Sequence, residues 1–503
     1  MVKRMANTAS ATAQPTVPPG NLGRTWLARV FSFPVMCVVL LAAAIFAYAP
    51  RGIGVAEPDI FWRLRGATDV LQSHSLSLPE MHSFTLAGTP TTNYEWLSDL
   101  LFLFSYKAMG LRGMVILYAL SMVVIFAVVY YRACKSGADC KDAAVATLGG
   151  ICIGVVSLAP RPLLFGWVCL SGVLVVLDRF RESRKGLWLL PPLFLLWINL
   201  HGSWIYGIAI VVLTIVSGLI AGRWGVVVAT RWSPEDLRKL LVALVASLAA
   251  LFVNPFGYKL VLFPFAFFRM QGFMQYVEYW HSVDFGTYTG KLALALIFGL
   301  IAAALFSRRR WRLDEVLLMA FALWSGLSHV RFLDFTALII VPILAPRLKL
   351  FPAYQPELDK PWLNAIVILA VIAGVIVFLP TQAQLQERVD SELPAAALTF
   401  MQQSNINGRI FSPAEFGGFI EWDAPQFQSF VDGRPLFVER GIFEDSFSAL
   451  TISDPYAVLD KYKIDYVLIE PTWPLAYLLK HTPSWRVLYS DKVAVLFQRV
   501  PVS

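Results

Sequence analysis

Long apolar runs separated by short polar connections set the pattern of this chain. Runs near the roughly twenty residues needed to cross a bilayer occupy 31–49, 113–131, 142–159, 162–178, 187–200, 203–221, 239–253, 291–306, 313–328, 332–346 and 362–379. They predict an α-helical polytopic membrane protein with about eleven transmembrane helices. The first run is nearer a spanning length than a signal h-region and reads as a retained helix. The segment 95–110 differs. It is amphipathic, and Glu95, Asp99 and Lys107 would be costly at membrane depth.

Basic residues orient these runs. With 95–110 lying flat in the interface, Arg132, Arg179, Arg181, Arg223, Arg231, Arg308, Arg309, Arg310 and Arg347 fall in cytoplasmic connections. The outer turns then hold only Arg161, His201, His329 and Arg331. The alternative, a spanning 95–110, would put the Arg clusters outside and is disfavoured. The expected organisation is a disordered basic cytoplasmic tail at 1–30 and a transmembrane domain at 31–380. A first outer loop covers 50–112 and a second covers 254–290. A periplasmic α/β domain follows at 381–503. Localisation in a bacterial inner membrane follows from that layout.

Composition agrees. Hydrophobic residues make up 57% and charged residues 15% of 503, against about 25% charged in soluble proteins. The net charge of +8 serves topology, so no nucleic-acid partner is implied. The five cysteines, Cys37, Cys134, Cys140, Cys152 and Cys169, form no Cys-x-x-Cys spacing and read as small apolar residues in helices.

Charges at the bilayer edge are the chemical candidates. Glu57 and Asp59 flank Pro58 where the chain leaves the first helix, and Arg63 follows one turn later. Glu95 opens the flat segment. Arg161 lies between two prolines, His201 stands in Asn199-Leu200-His201-Gly202, and His329 and Arg331 share one turn. His281 sits with Glu278 and Asp284 in the aromatic second outer loop. A carboxylate can take the proton of an acceptor hydroxyl or amine, while Arg and His hold a departing phosphate. Asp59 or Glu57 is the expected catalytic acid. Arg63, Glu95, Arg161, His201, His281, His329 and Arg331 are the expected substrate-binding set. Each also has a plain structural role open to it, such as helix-end solvation or snorkelling to headgroups. No Walker sequence, His-Glu-x-x-His or strand-borne Gly-x-Gly-x-x-Gly occurs, which removes support for ATP hydrolysis, zinc proteolysis and hydride transfer.

This layout, with Glu57-Pro58-Asp59, the helix 60–72, Asn93-Tyr94-Glu95-Trp96-Leu97 and Tyr130-Tyr131-Arg132, resembles the GT-C glycosyltransferase superfamily. Within it, the likeness is to the protein O-mannosyltransferase and aminoarabinose-transferase branch. Asn254-Pro255-Phe256-Gly257 and Val431-Asp432-Gly433-Arg434 look like stretches of a bacterial GT-C-like group. The resemblance implies inverting transfer from a polyprenyl-phosphate sugar to an envelope acceptor, amid membrane lipids, with Asp59 at the family's catalytic position. It requires no cofactor. The Pro58 spacing departs from the adjacent acidic pair of that branch and leaves a divalent metal open. The Lys-Pro-Pro stretch before the flat helix is replaced by Thr91-Thr92-Asn93-Tyr94. Two alternatives compete: a non-catalytic GT-C-like scaffold or lipid-binding component, and a transporter. The transporter would need mid-span charges or paired halves, and the sequence shows few such charges and no halves.

Overall fold

The computed structural model describes residues 26–52, 57–157, 159–267, 269 and 278–500. Most of the expected basic tail, and residues 268 and 270–277 of the second outer loop, lie outside the described residues.

Each apolar run falls in a helix. Among the described residues five stretches are long and apolar enough to cross a membrane unaided: Phe33–Gly52, Trp96–Lys135, Leu163–Ser183, Tyr288–Phe306 and Pro361–Phe378. The other helices are shorter or more polar at their ends, so the count of eleven is a reading of the sequence. Leu333–Leu344 is buried along its whole length and packs against Cys140–Ser157, Leu313–Ser328 and Trp96–Lys135. Pro361–Phe378 is the opposite case: only Asn364 and Ile368 are buried. An apolar helix with so little protein around it suits contact with lipid.

The segment expected to lie flat and the run expected to span after it form one helix, Trp96–Lys135, broken at Met109 and Gly110. Gly110 has φ +60° and ψ −146°, a conformation that L side chains rarely adopt. The break lets the first part leave the direction of the second.

The C-terminal region carries a four-stranded mixed sheet in the order Ile410–Phe411, Tyr466–Ile469, Val495–Arg499, Trp485–Ser490. The first pair is parallel, with Ile410 opposite Tyr466. The others are antiparallel, with Val467 opposite Phe497 and a bulge between Val487 and Tyr489. Tyr466–Ile469 is buried at every position, as an interior strand covered on both faces should be.

This region is strapped onto residues 60–106. Ser83 and Ser429 form a parallel bridge. Thr85 Oγ1 donates to the Phe430 carbonyl at 2.6 Å. Phe61 meets Phe419 edge-on at 5.0 Å, and Tyr106 meets Trp422 at 5.4 Å. The helix Ala414–Asp423 thereby lies along Ile60–Ser73.

Candidate functional site

Ile60–Ser73 is amphipathic. Ile60, Phe61, Leu64 and Ala67 are buried. Asp59, Trp62, Arg63, Gly66, Asp69 and Val70, at helical spacing on the other side, line a cavity of about 910 Å³. That volume is near the top of the usual range for small-molecule sites.

Asp59 begins the helix but does not cap it: its backbone is helical (φ −65°, ψ −17°) and its side chain makes no cap bond. Oδ1 instead accepts from the Trp62 indole N–H at 3.1 Å. This is not how an acid serving only the helix end behaves.

Arg63 Nη1 donates to Glu95 Oε2 at 2.7 Å and to Asp99 Oδ1 at 3.1 Å. Asn93 completes the set, accepting the Glu95 backbone N–H and donating to Asp99 Oδ2 at 3.0 Å. His201 Nδ1 accepts the Ser203 N–H at 2.9 Å, so Nε2 carries the proton toward Glu95 Oε1, 3.2 Å away. Burial, with Arg331 and Arg63 and against Glu95, pushes His201 down to about 4. It is neutral and works as a fixed donor. Burial pushes Glu95 up, but Arg63 and His201 outweigh it and hold the carboxyl below its ordinary range. The Asn199-Leu200-His201-Gly202 motif is anchored by Trp96, whose indole donates to Asn199 Oδ1 at 3.2 Å, and by Ser98, which donates to the Leu200 carbonyl. Tyr94 packs on Phe256 and Phe263, at 5.4 and 4.4 Å, tying in the Asn254-Pro255-Phe256-Gly257 turn.

Two further arginines reach the cavity. Arg161 pairs with Glu57 and lies 5.3 Å from the Tyr279 ring centre. Arg331 stacks over Trp280 at 4.0 Å. It has no carboxylate partner among the described residues, and its Nε has no hydrogen-bond partner. Burial, followed by the Arg161 charge, pushes Arg331 down to about 10. It is a charged group in want of an anion. Beside it the wall is apolar, from Leu262, Phe263, Ala266 and Phe267.

Asp59, Arg63, Glu95, Arg161, His201 and Arg331 therefore meet in one cavity. Three expected residues do not line it. Glu57 is fully buried beneath, against Arg161. His281 is exposed. His329 turns Nδ1 to the Trp280 carbonyl at 2.7 Å. Asp284 is likewise occupied locally, accepting the Gly286 N–H. Sequence reasoning missed Asp69, His82, Lys259, Glu415 and Glu439, all of which line the cavity. Of these, Asp69 carried a readable signal: it continues the stripe begun by Asp59, Trp62 and Gly66.

The overall arrangement has solved counterparts. The chain shares its fold with a mycobacterial arabinofuranosyltransferase, AftD. One cryo-EM structure of that protein, of the mutant R1389S, aligns with a TM-score of 0.50 at 12% identity, covering 95% of this chain and 42% of AftD. Another AftD structure gives 0.49 and 11%, covering 96% and 40%. The chain thus spans about two fifths of the AftD length. At this identity the likeness is one of fold alone. No protein-family model matches the chain, and no curated protein matches it.

A divalent metal finds little to hold it. Among the described residues no group of three His, Cys, Asp or Glu side chains is placed around one point. Glu57 is committed to Arg161, and Asp59 receives the Trp62 indole N–H on one oxygen, Oδ1.

Proposed function

We propose that the protein transfers a sugar from a polyprenyl-phosphate donor to an envelope acceptor at the outer face of the inner membrane. One observation carries this reading: the carboxylate of Asp59 and the guanidinium of Arg331, which has no carboxylate partner among the described residues, line the same cavity beside an apolar wall. The polyprenyl chain follows Leu262, Phe263 and Phe267, and the phosphate meets Arg331 and Arg161. The acceptor hydroxyl attacks the anomeric carbon, its proton passes to Asp59, and the bond from that carbon to the phosphate oxygen breaks. The negative charge released on the polyprenyl phosphate is received by the arginines. A scaffold would have no need of these groups in one cavity. Because the fold relative is an arabinofuranosyltransferase, a polyprenyl-phosphate arabinofuranose is the first donor to try. Deleting the gene is expected to raise the cellular level of one polyprenyl-phosphate sugar and remove that sugar from an envelope glycan. Unchanged lipid and glycan profiles would contradict the proposal.

Two further outcomes follow from the arginines. Arg331→Gln removes the charge that lacks a partner, and donor-analogue affinity is expected to fall about 10- to 100-fold, the worth of a charge-assisted bond. Isothermal titration of wild type and variant checks this.

The second outcome concerns pH. Burial, opposed by Arg161, pushes Glu57 up to about 7. Below that value Glu57 is neutral and Arg161 offers its whole charge to the phosphate. Above it the two cancel. The donor phosphodiester does not titrate in this range, so affinity is expected to fall as pH rises from about 6 to about 8. Glu57→Gln is expected to keep the low-pH affinity throughout. A flat wild-type profile would contradict the assignment.

A further inference from the structure

We infer that the turn Asp432-Gly433-Arg434 of the C-terminal region is a positioning element for the Asp59 carboxylate, a role that rests on the reading of Asp59 as the base. The argument begins with a glycine whose backbone does not require one. Gly433 is not among the residues with positive φ, so other residues could adopt its conformation. What a side chain there would displace is Asp59. A Cβ at 433 would lie 2.0 Å from Asp59 Oδ1, 2.8 Å from its Cγ and 3.1 Å from Oδ2. The Gly433 backbone is therefore pressed against the carboxylate, on the oxygen that the Trp62 indole also holds. With Oδ1 engaged on both sides, Oδ2 is left for the acceptor proton.

The same approach recurs one turn along. A Cβ at Gly418 would meet Trp62 N at 3.0 Å and its Cδ1 at 3.1 Å. A Cβ at Gly417 would strike the Val431 carbonyl, just before the turn, at 1.9 Å. Two glycines, Gly433 and Gly418, thus bring the C-terminal backbone onto the first turn of Ile60–Ser73, where Asp59 and Trp62 sit, and Gly417 lets the helix Ala414–Asp423 close on the residues before the turn.

The turn is itself pinned. Asp432 Oδ1 accepts the Arg434 N–H at 2.8 Å, and Oδ2 accepts Arg434 Nε at 2.7 Å. Arg434 reaches Glu80 at 2.6 Å and Glu421 at 3.4 Å. Glu80 in turn accepts the backbone N–H groups of His82 and Ser83, at 2.8 and 2.9 Å. The outer loop, the helix Ala414–Asp423 and the turn are locked together by one guanidinium. The rigidity of that lock passes to Asp59 through Gly433. The C-terminal region is then part of the catalytic apparatus and more than a cover over it.

Gly433→Ala tests this, with Gly441→Ala as its control. Gly441 also lies in the C-terminal region, but at φ +72° with nothing within 4 Å of a built Cβ. Its substitution strains the region without touching Asp59. Three quantities are read for the full-length protein: turnover, binding of a non-hydrolysable polyprenyl-phosphate sugar analogue, and carbodiimide labelling of Asp59 followed by mass spectrometry. The expected result for Gly433→Ala is a fall in kcat of about 100-fold, the cost of an ångström-scale misplacement. Analogue affinity is unchanged, and Asp59 is labelled faster because its indole bond is disturbed. Gly441→Ala shows none of these changes. Unchanged kcat and labelling in Gly433→Ala would overturn the inference, as would an equal loss in Gly441→Ala. If wild type turns over no donor yet Asp59 labelling still responds to residue 433, positioning stands and the transferase reading fails.

Discussion

Asp59→Asn is expected to reduce turnover about 10²- to 10⁴-fold, the range that a general base contributes, with donor binding unchanged. Asparagine has the same shape and can still accept the Trp62 indole bond through its Oδ1. The cavity, the arginines and the contact with Gly433 stay as they are. Only the capacity to take a proton is lost. Glu57→Gln makes a useful contrast: Glu57 lies buried against Arg161 and lines no part of the cavity. Its substitution should alter the pH dependence of donor affinity and leave the maximal rate within a few-fold of wild type. Equal loss of rate in both variants would assign the base wrongly.

Arg434→Met is expected to have the largest effect on stability. Glu80, Glu421 and Asp432 are 3%, 1% and 0% exposed, and Arg434 is the cation that reaches all three. Removing one partner of a buried ion pair costs about 3–5 kcal/mol, because the charge left behind stays buried. Burial, with Asp432 next to it, already pushes Glu421 well above its ordinary range. Without the guanidinium Glu421 binds its proton more tightly still, because Arg434 is the charge that opposes the shift, and the unfolded chain does not share that gain. The variant should therefore recover stability as pH falls toward 5 and lose it as pH rises, by about 1.4 kcal/mol for each unit of pKa shift. Thermal unfolding of the C-terminal region in detergent, followed by protease sensitivity, reads this. An unchanged midpoint at neutral pH would show that the cluster is not held by Arg434. Ser429→Ala removes only a neutral donor to Glu421 and should cost about 1 kcal/mol.

Six of the expected residues line one cavity, and the signal that grouped them was their position in connections that the charge pattern assigns to one side. Asp59, Arg63, Glu95, Arg161, His201 and Arg331 stand at the ends of different apolar runs, and connections placed on one face converge when the helices bundle. What topology cannot give is the direction of a side chain within a tight turn. Arg331 faces the cavity while His329, two residues earlier, turns to the Trp280 carbonyl. Glu57 and Asp59 are also two apart, and one is buried while the other is presented.

Arg434, Glu415 and Glu439 were harder still. Their place depends on how the C-terminal region docks on the segment around residues 80–86, a pairing such as Ser83 with Ser429 that no local pattern announces. The meeting of Asp432 with Arg434, two residues on, is a local contact. That Glu80, some 350 residues earlier, shares the same guanidinium is a tertiary fact. The reason for glycine at 433 belongs to the same class, since it becomes visible only with Asp59 beside it.

The most direct test of the account is a single-turnover assay. Purified protein in nanodiscs is mixed with a labelled polyprenyl-phosphate arabinofuranose and an extract of envelope glycans, and release of free polyprenyl phosphate is measured. Release that depends on the extract, is strong in wild type and falls to background in Asp59→Asn is the predicted result. Donor that binds tightly and is recovered intact, equally in both proteins and across a panel of polyprenyl-phosphate sugars, would contradict glycosyl transfer and favour a lipid-binding scaffold.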